Sequence, residues 1–254
     1  MTLAPTPSSP VMVASGGAAG IGLASAARWI HSGGRAVLVD RDAAAAERAA
    51  ATLGPAARGV GADVTSRTAV DAALASVAAV EGRVDALVNC AGIARPAPAA
   101  TMSDDDLSVL LDIHVTGTLR MCRAAFPLLK ASRGRIVNIA SVAALTGMPQ
   151  RLNYTAAKSA IGGLTRTLAV EWAPEGIRTN AVGPGYVRSA LTDNLKERGE
   201  LRAERIEART ALGRFGEPEE IAECVYFLAS EASSFVNGHL LMADGGLTID
   251  GNWY

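Results

Sequence analysis

Aromatic side chains are scarce. Phenylalanine, tyrosine and tryptophan make up 4% of the 254 residues, although hydrophobic residues as a whole reach 49%. The core must therefore be built mainly from alanine, valine, leucine and isoleucine. Cysteine is rarer still: Cys90, Cys122 and Cys224 are odd in number, far apart and set in apolar stretches. That argues against a disulfide framework or a zinc ribbon and leaves small buried hydrophobes. Excess charge is also missing. The net charge is -1 and the basic residues are scattered, so nothing marks a surface for nucleic acid or an anionic membrane. The opening ten residues hold three prolines and no basic side chain, unlike a secretory signal. No run approaches the ~18 uninterrupted apolar residues of a membrane span. His31 and His239 lack ligand-like neighbours, and no metal is expected. From these absences a cytoplasmic location is expected.

What is present is alternation. Short apolar runs bounded by glycine, aspartate or asparagine lie at residues 11–14, 36–39, 58–62, 86–89, 136–139, 178–182 and 240–243, with helical patterns between them. Apolar strands of that length suit a buried parallel sheet. The fold class predicted is α/β: a single-domain, Rossmann-type, doubly wound parallel sheet of about seven strands with helices on both faces. Residues 1–10 read as a flexible lead-in and 11–254 as one domain. The alanine-rich stretch 43–52 reads as a helix. Residues 188–215 are dense in charge, including Lys196, Arg198, Arg202, Glu204, Arg205, Glu207 and Arg209. They read as a solvated helix with (i, i+4) ion pairs, as a lid over a cleft, or as both.

The first strand runs into Ser15-Gly16-Gly17-Ala18-Ala19-Gly20-Ile21-Gly22, and a helical run follows at 23–30. Glycines there permit a tight turn and close approach of backbone N–H groups to a pyrophosphate, and the helix N-terminus adds partial positive charge. The second strand ends in Asp40, twenty residues after Gly20. A carboxylate at that place accepts from both adenosine ribose hydroxyls and repels a 2′-phosphate, which favours NAD over NADP. Arg41 beside it is the counter-signal, since an arginine pairs with a 2′-phosphate. Asp63-Val64 after the third strand and Asn89-Cys90-Ala91-Gly92 after the fourth lie at strand ends, where ligands bind in such sheets. Asp63 would meet the adenine amino group and the backbone of 89–92 the ribose; on spacing alone both also read as turns.

Tyr154 and Lys158 are four apart at the start of a helical run that stops before Pro174, so they share a side. An ammonium beside a phenol lowers its pKa from about 10 and makes Tyr154 a usable acid–base near neutrality. Ser141 ends the fifth strand, where its hydroxyl would hold a carbonyl oxygen beside Tyr154.

Taken together, these residues resemble the short-chain dehydrogenase/reductase family over nearly the whole chain. The resemblance rests on the 15–22 loop, Asp63-Val64, Asn89-Cys90-Ala91-Gly92, Ser141 thirteen residues before Tyr154, Lys158, Asn180, Pro184-Gly185 and Asp244-Gly245-Gly246. It implies Tyr154 as general acid–base, Lys158 on the nicotinamide ribose, and Ser141 as substrate anchor. It also places Pro184, Gly185 and Val187 against the nicotinamide, and implies a homotetramer. The sequence departs from the family in carrying Ser15 where threonine is usual and His114 where an asparagine usually holds a relay water. A histidine there is expected either to replace the asparagine and make turnover pH-sensitive below about pH 6.5, or simply to pack.

The substrate is less legible. Residues 142–152 and 186–195, the neighbourhood of Arg95 and the tail 248–254 are expected to build its pocket. Gln150, Arg151, Asn153 and Tyr186 would give polarity, and Leu145, Met148 and Leu191 apolar walls. Ser141, Gln150, Tyr154 and Tyr186 are the chosen contacts. The resemblance is closest to members acting on polyols, sugars or small cyclic alcohols. An NADP-dependent 3-oxoacyl thioester reductase, and a non-catalytic NAD(H)-binding sensor or scaffold, are the alternatives.

Overall fold

The computed structural model describes residues 9–189, 192, 197 and 202–250. The chain alternates strand and helix: β1 (Val11–Ser15), α1 (Gly20–His31), β2 (Arg35–Asp40), α2 (Ala43–Leu53), β3 (Ala57–Gly61), α3 (Arg67–Val80) and β4 (Ala86–Asn89). It continues through α4 (Asp104–Leu111), α5 (Gly117–Ser132), β5 (Arg135–Ile139), α6 (Leu152–Glu171), β6 (Arg178–Pro184), α7 (Ala203–Arg209), α8 (Pro218–Ala229) and β7 (Leu240–Ala243). The strands form one seven-stranded parallel sheet in the order β3-β2-β1-β4-β5-β6-β7. All seven strands read from the sequence are present, within two residues at each end.

Alternation along the strands sorts the side chains into two layers. Met12, Ala14, Ala86 and Val88 face one side and pack with Trp29 of α1 and Ile221, Val225 and Leu228 of α8. Val11, Val13, Val37 and Leu87 face the other and pack with Val70 and Val77 of α3, Met121 and Leu129 of α5, and Leu168 of α6. Small residues let the layers approach closely: Ala26, Ala36, Ala49 and Ala50 close α1 and α2 against Leu38. The core thus has the aliphatic, aromatic-poor character expected of it.

Chain order reverses between β1 and β4, which run side by side while their following segments leave in opposite directions. The crevice beyond the carboxyl ends of these two strands is where an open α/β sheet binds ligands. At the start of the described chain the Pro10 carbonyl accepts from Arg35 N at 2.9 Å and from Trp29 Nε1 at 3.1 Å. Residues 1–8 lie outside the described residues, as do 190, 191, 193–196 and 198–201 of the expected lid, Leu191 among them, and the tail from 251. The one opposite-charge (i, i+4) pair of this stretch, Lys196 with Glu200, lies outside the described residues; among those described, Arg202, Glu204, Arg205, Glu207 and Arg209 make no ion pair. No helix among the described residues is long and apolar enough to cross a membrane.

Candidate active site

The glycine loop is lashed to its neighbour by a hydroxyl. Ser15 Oγ accepts from Cys90 N at 3.3 Å and Ala91 N at 3.4 Å, joining the loops after β1 and β4. Gly16 sits at φ +63°, and a Cβ there would lie 2.8 Å from Ala91 N; a Cβ on Gly22 would lie 2.3 Å from the Gly16 carbonyl oxygen. Both positions need glycine because backbone meets backbone. Gly20, at φ +53°, has nothing within 4 Å of a built Cβ and leaves the outer side of the turn open. Helix α1 then starts without a side-chain cap at Ala19 and without an acid in its first turn. By contrast α2, α3 and α4 are capped by Asp42, Ser66 and Ser103. The unclaimed donors at the start of α1 fit a pyrophosphate, which is the test the residues pass for a dinucleotide.

Beyond the loop a cleft of about 160 Å³ is lined by Gly16, Asp40, Arg41, Asp63, Val64, Ala91 and Gly92 among others. Asp40 has one oxygen 3.4 Å from Ala18 N and the other 3.2 Å from Asp42 N. It therefore braces both the glycine loop and its own turn from its place in the cleft wall. Asp63 accepts from Thr65 N at 2.8 Å and Thr65 Oγ1 at 2.7 Å; these bonds hold its carboxyl below the usual carboxylate range. The turn reading of Asp63 is thus present alongside its place in the cleft wall.

The expected catalytic residues converge on the other side of the β1/β4 crevice. A cleft of about 270 Å³ is walled by Ile21, Gly92, His114, Ser141, Tyr154, Lys158, Pro184, Gly185, Tyr186 and Val187, with Cys90, Met148 and Arg151. Ser141 follows β5, and its Oγ accepts from Ala143 N at 3.2 Å, opening a short 3₁₀ turn at Val142–Ala144. Tyr154 and Lys158 lie one turn apart near the start of α6. A buried chain holds this helix on the sheet: Asn89 Nδ2 donates to Asn138 Oδ1 at 2.9 Å, and Asn138 Nδ2 to Thr165 Oγ1 at 2.9 Å.

The electrostatics correct two expectations. Lys158 is 5% exposed, and its Nζ donates to the Ile139 carbonyl at 2.6 Å. Burial lowers its pKa to about 8. Burial also dominates at Tyr154 and raises its pKa, against the pull of the Ser141 hydroxyl and Arg151. The expected lowering of the Tyr154 pKa is therefore absent, because burial outweighs it, although the Lys158 ammonium lies 5.6 Å from the centre of the Tyr154 ring. His114 is buried in a π-helical turn at Asp112–Thr116, between α4 and α5. Its Nε2 lies 2.9 Å from the Ile93 carbonyl oxygen and 3.2 Å from Ile93 N, and its ring meets that of Tyr154 edge-on at 5.6 Å. Burial, then the charge on Lys158, push its pKa down to about 3. That lies well below the value near 6.5 of a free histidine, because a dry site beside a cation disfavours a second positive charge, and it favours the packed alternative.

Three expected site residues fall elsewhere. Asn89 is turned into the core, as described, while Cys90, Ala91 and Gly92 of its motif line the clefts. Gln150 is exposed at φ +61° and lines a neighbouring cleft, apart from Tyr154. Asn153 is fully buried and structural, donating to the Arg95 carbonyl at 2.9 Å and accepting from Tyr154 N at 2.8 Å. The sequence reading missed Asn138, Thr165 and Thr192. Thr192 lines the reactive cleft and bonds to Ser189 N at 2.8 Å. The Ser189–Thr192 spacing is the only trace of that turn in the sequence.

Comparison with known proteins agrees with this geometry. The family described as enoyl-(acyl carrier protein) reductase matches residues 16–248. D-threitol dehydrogenase of Mycolicibacterium smegmatis is 41% identical over 243 residues, 94% of this chain and 93% of that one. Galactitol 2-dehydrogenase (L-tagatose-forming) of Cereibacter sphaeroides is 42% identical over 238 residues, covering 92% and 93%. The crystal structure of gox2181 superposes with a TM-score of 0.91 at 38% identity, over 95% of this chain and 96% of that one. With a serine, a tyrosine and a lysine meeting beyond a glycine-looped parallel sheet, the chain belongs to the short-chain dehydrogenase/reductase family, oxidoreductases that act on CH–OH groups.

Proposed function

We propose that the protein is an NAD-dependent dehydrogenase interconverting a secondary alcohol of a polyol, sugar or small cyclic alcohol with its ketone. The observation that carries this is the convergence of Ser141, Tyr154 and Lys158 in one cleft next to the glycine loop. The polyol class is supported by the relatives named for D-threitol and galactitol. Gly16, Gly20, Ile21 and Gly22 would hold the pyrophosphate, Asp40 and Arg41 the adenosine ribose, and Asp63 and Val64 the adenine. Ala91, Gly92, Lys158, Pro184, Gly185 and Val187 would surround the nicotinamide ribose and ring. Asp40 favours NAD, since a carboxylate there repels a 2′-phosphate. We read residues 11–254 as one catalytic domain that works as a cytoplasmic homotetramer.

A nicotinamide in the cleft supplies the hydride acceptor. The chain's own residues manage the oxygen. Ser141 Oγ donates to the substrate oxygen, and Tyr154 Oη takes the hydroxyl proton during oxidation and returns it during reduction. Lys158 passes that proton onward. His114 stays neutral, with Nε2 occupied by Ile93 and Nδ1 buried without a partner. Nδ1 is the atom that would hold a relay water where the family uses an asparagine.

The second reading, an NADP-dependent 3-oxoacyl thioester reductase, is favoured by Arg41 and by the acyl-carrier description of the matching family. One assay separates the two. The protein is mixed with NAD or NADP and polyols, cyclic alcohols or 3-hydroxyacyl thioesters, and reduced cofactor is followed by absorbance. NAD reduction with one alcohol class is expected, lowered by about 10²–10⁴ in Tyr154→Phe with NAD binding retained. NADP-only activity on thioesters would replace the proposal with the second reading. NAD binding with no turnover of any alcohol would leave a sensor.

A further inference from the structure

Beside the reactive cleft lies a second one of about 420 Å³, and the two share the walls Val142, Met148, Arg151 and Tyr186. Its outer wall is α7. Arg202, Arg205 and Arg209 line the cleft together with Ile206. Their spacing of three and four places them on one face of the helix, while Glu204 and Glu207 fall on the other. Among the described residues no aspartate or glutamate lines this cleft. No ion pair forms between those arginines and any described carboxylate. Arg151 closes the floor between the clefts, three residues before Tyr154, and its Nη1 is buried without a hydrogen-bond partner. A buried guanidinium nitrogen left unsatisfied is costly, and the exposed cations beside it add a positive potential at the cleft mouth.

We infer that the substrate carries an anionic group, a carboxylate, phosphate or sulfonate, on a short arm from the reacting carbinol, and that Arg151, Arg202, Arg205 and Arg209 receive it. Each planar guanidinium offers several donors that fit the oxygens of such a group. The arm would cross the wall formed by Met148 and Tyr186. The inference rests on the proposed reaction for its geometry and narrows the substrate to an acidic or phosphorylated alcohol. Because the α7 arginines are exposed, the affinity should fall as salt rises.

Calorimetric titration of the NAD-saturated protein tests the anion site without turnover. The probes are butyl phosphate, butane-1-sulfonate and butanoate, with 1-butanol as the neutral control. At least one anion is expected to bind ten times or more tighter than 1-butanol, and the tightest names the group. Arg205→Gln combined with Arg209→Gln should weaken it at least tenfold, whereas Glu204→Gln combined with Glu207→Gln should not. If the arginine pair fails to fold, each single variant and a salt series on the parent carry the same comparison. Equal binding of 1-butanol, no binding of any anion, or anion binding untouched by the arginine changes overturns the inference. So does capture of an acyl carrier protein by these arginines with no small-anion binding. Tyr154→Phe should bind the anion like the parent. Anion binding by a parent protein that turns over no alcohol therefore sinks the proposed reaction alone, and turnover of neutral polyols without anion binding sinks this inference alone.

Discussion

At the scale of single residues, burial outweighs sequence proximity. His114 has a reference pKa near 6.5 in the unfolded chain and about 3 in the folded one. Between those values the unfolded chain takes up a proton that the folded chain refuses, so stability falls as pH drops through that window. From pH 7 to pH 5 the loss amounts to about 2 kcal/mol. His114→Asn removes it, and urea unfolding at the two pH values should show a correspondingly flatter acid dependence. An unchanged dependence would mean that His114 protonates within the fold. Asp40 acts through charge rather than burial. Asp40→Ser should shift preference toward NADP by about tenfold or more, equivalent to ~1.4 kcal/mol or above, as read from the ratio of KM values for the two cofactors. A ratio that stays put would place Asp40 in the turn alone.

At the scale of elements, the site depends on how helices end and how they are tied down. The π-helical turn at Asp112–Thr116 presents His114 to the cleft, and Thr118 Oγ1 donates to the His114 carbonyl at 2.7 Å. Single π turns of this kind recur at functional positions. Helix α8 is closed at its end by a side chain from β6. Arg178 donates to the Leu228 carbonyl (3.3 Å), Ser233 Oγ (3.0 Å), the Val236 carbonyl (3.2 Å) and the Ser230 carbonyl (2.8 Å). A cation there also complements the helix dipole. Arg178→Met should cost about 2–4 kcal/mol, because those acceptors lose a charge-assisted donor, with a matching fall in melting temperature by scanning calorimetry. Arg178→Lys should recover only part, since an ammonium cannot span the same fork. Full recovery by lysine would show that charge alone matters.

At the scale of the whole molecule, the sheet order creates the crevice, and the surface bears on assembly. Phe235 is fully exposed and Val170 is 77% exposed. Their segments are tied together, since Asn237 Nδ2 donates to the Ala169 carbonyl at 2.9 Å. Exposed large apolar side chains of this kind mark contact surfaces. Light scattering should report four chains per particle, and Val170→Asp with Phe235→Asp should give a smaller species. A monomeric parent at micromolar concentration would refute the tetramer.

The sequence by itself determined the elements whose signal is local. All seven strands were legible because a buried parallel strand is a short apolar run between turn formers. Ser15, Gly16, Gly20 and Gly22 were legible because a tight turn restricts residue type, and Tyr154 with Lys158 because helical spacing fixes their shared side. Only the tertiary structure decided matters that depend on what packs across the chain. It sent the Lys158 ammonium to the Ile139 carbonyl and kept His114 neutral, because desolvation is a property of surroundings rather than of spacing. It turned Asn89 inward to Asn138 and moved Gln150 to the neighbouring cleft. It also gathered Arg151 with three arginines more than fifty residues away. In the sequence those three were interleaved with glutamates as an ordinary solvated helix; helix geometry separated the two signs, and the fold aimed one of them at the cleft.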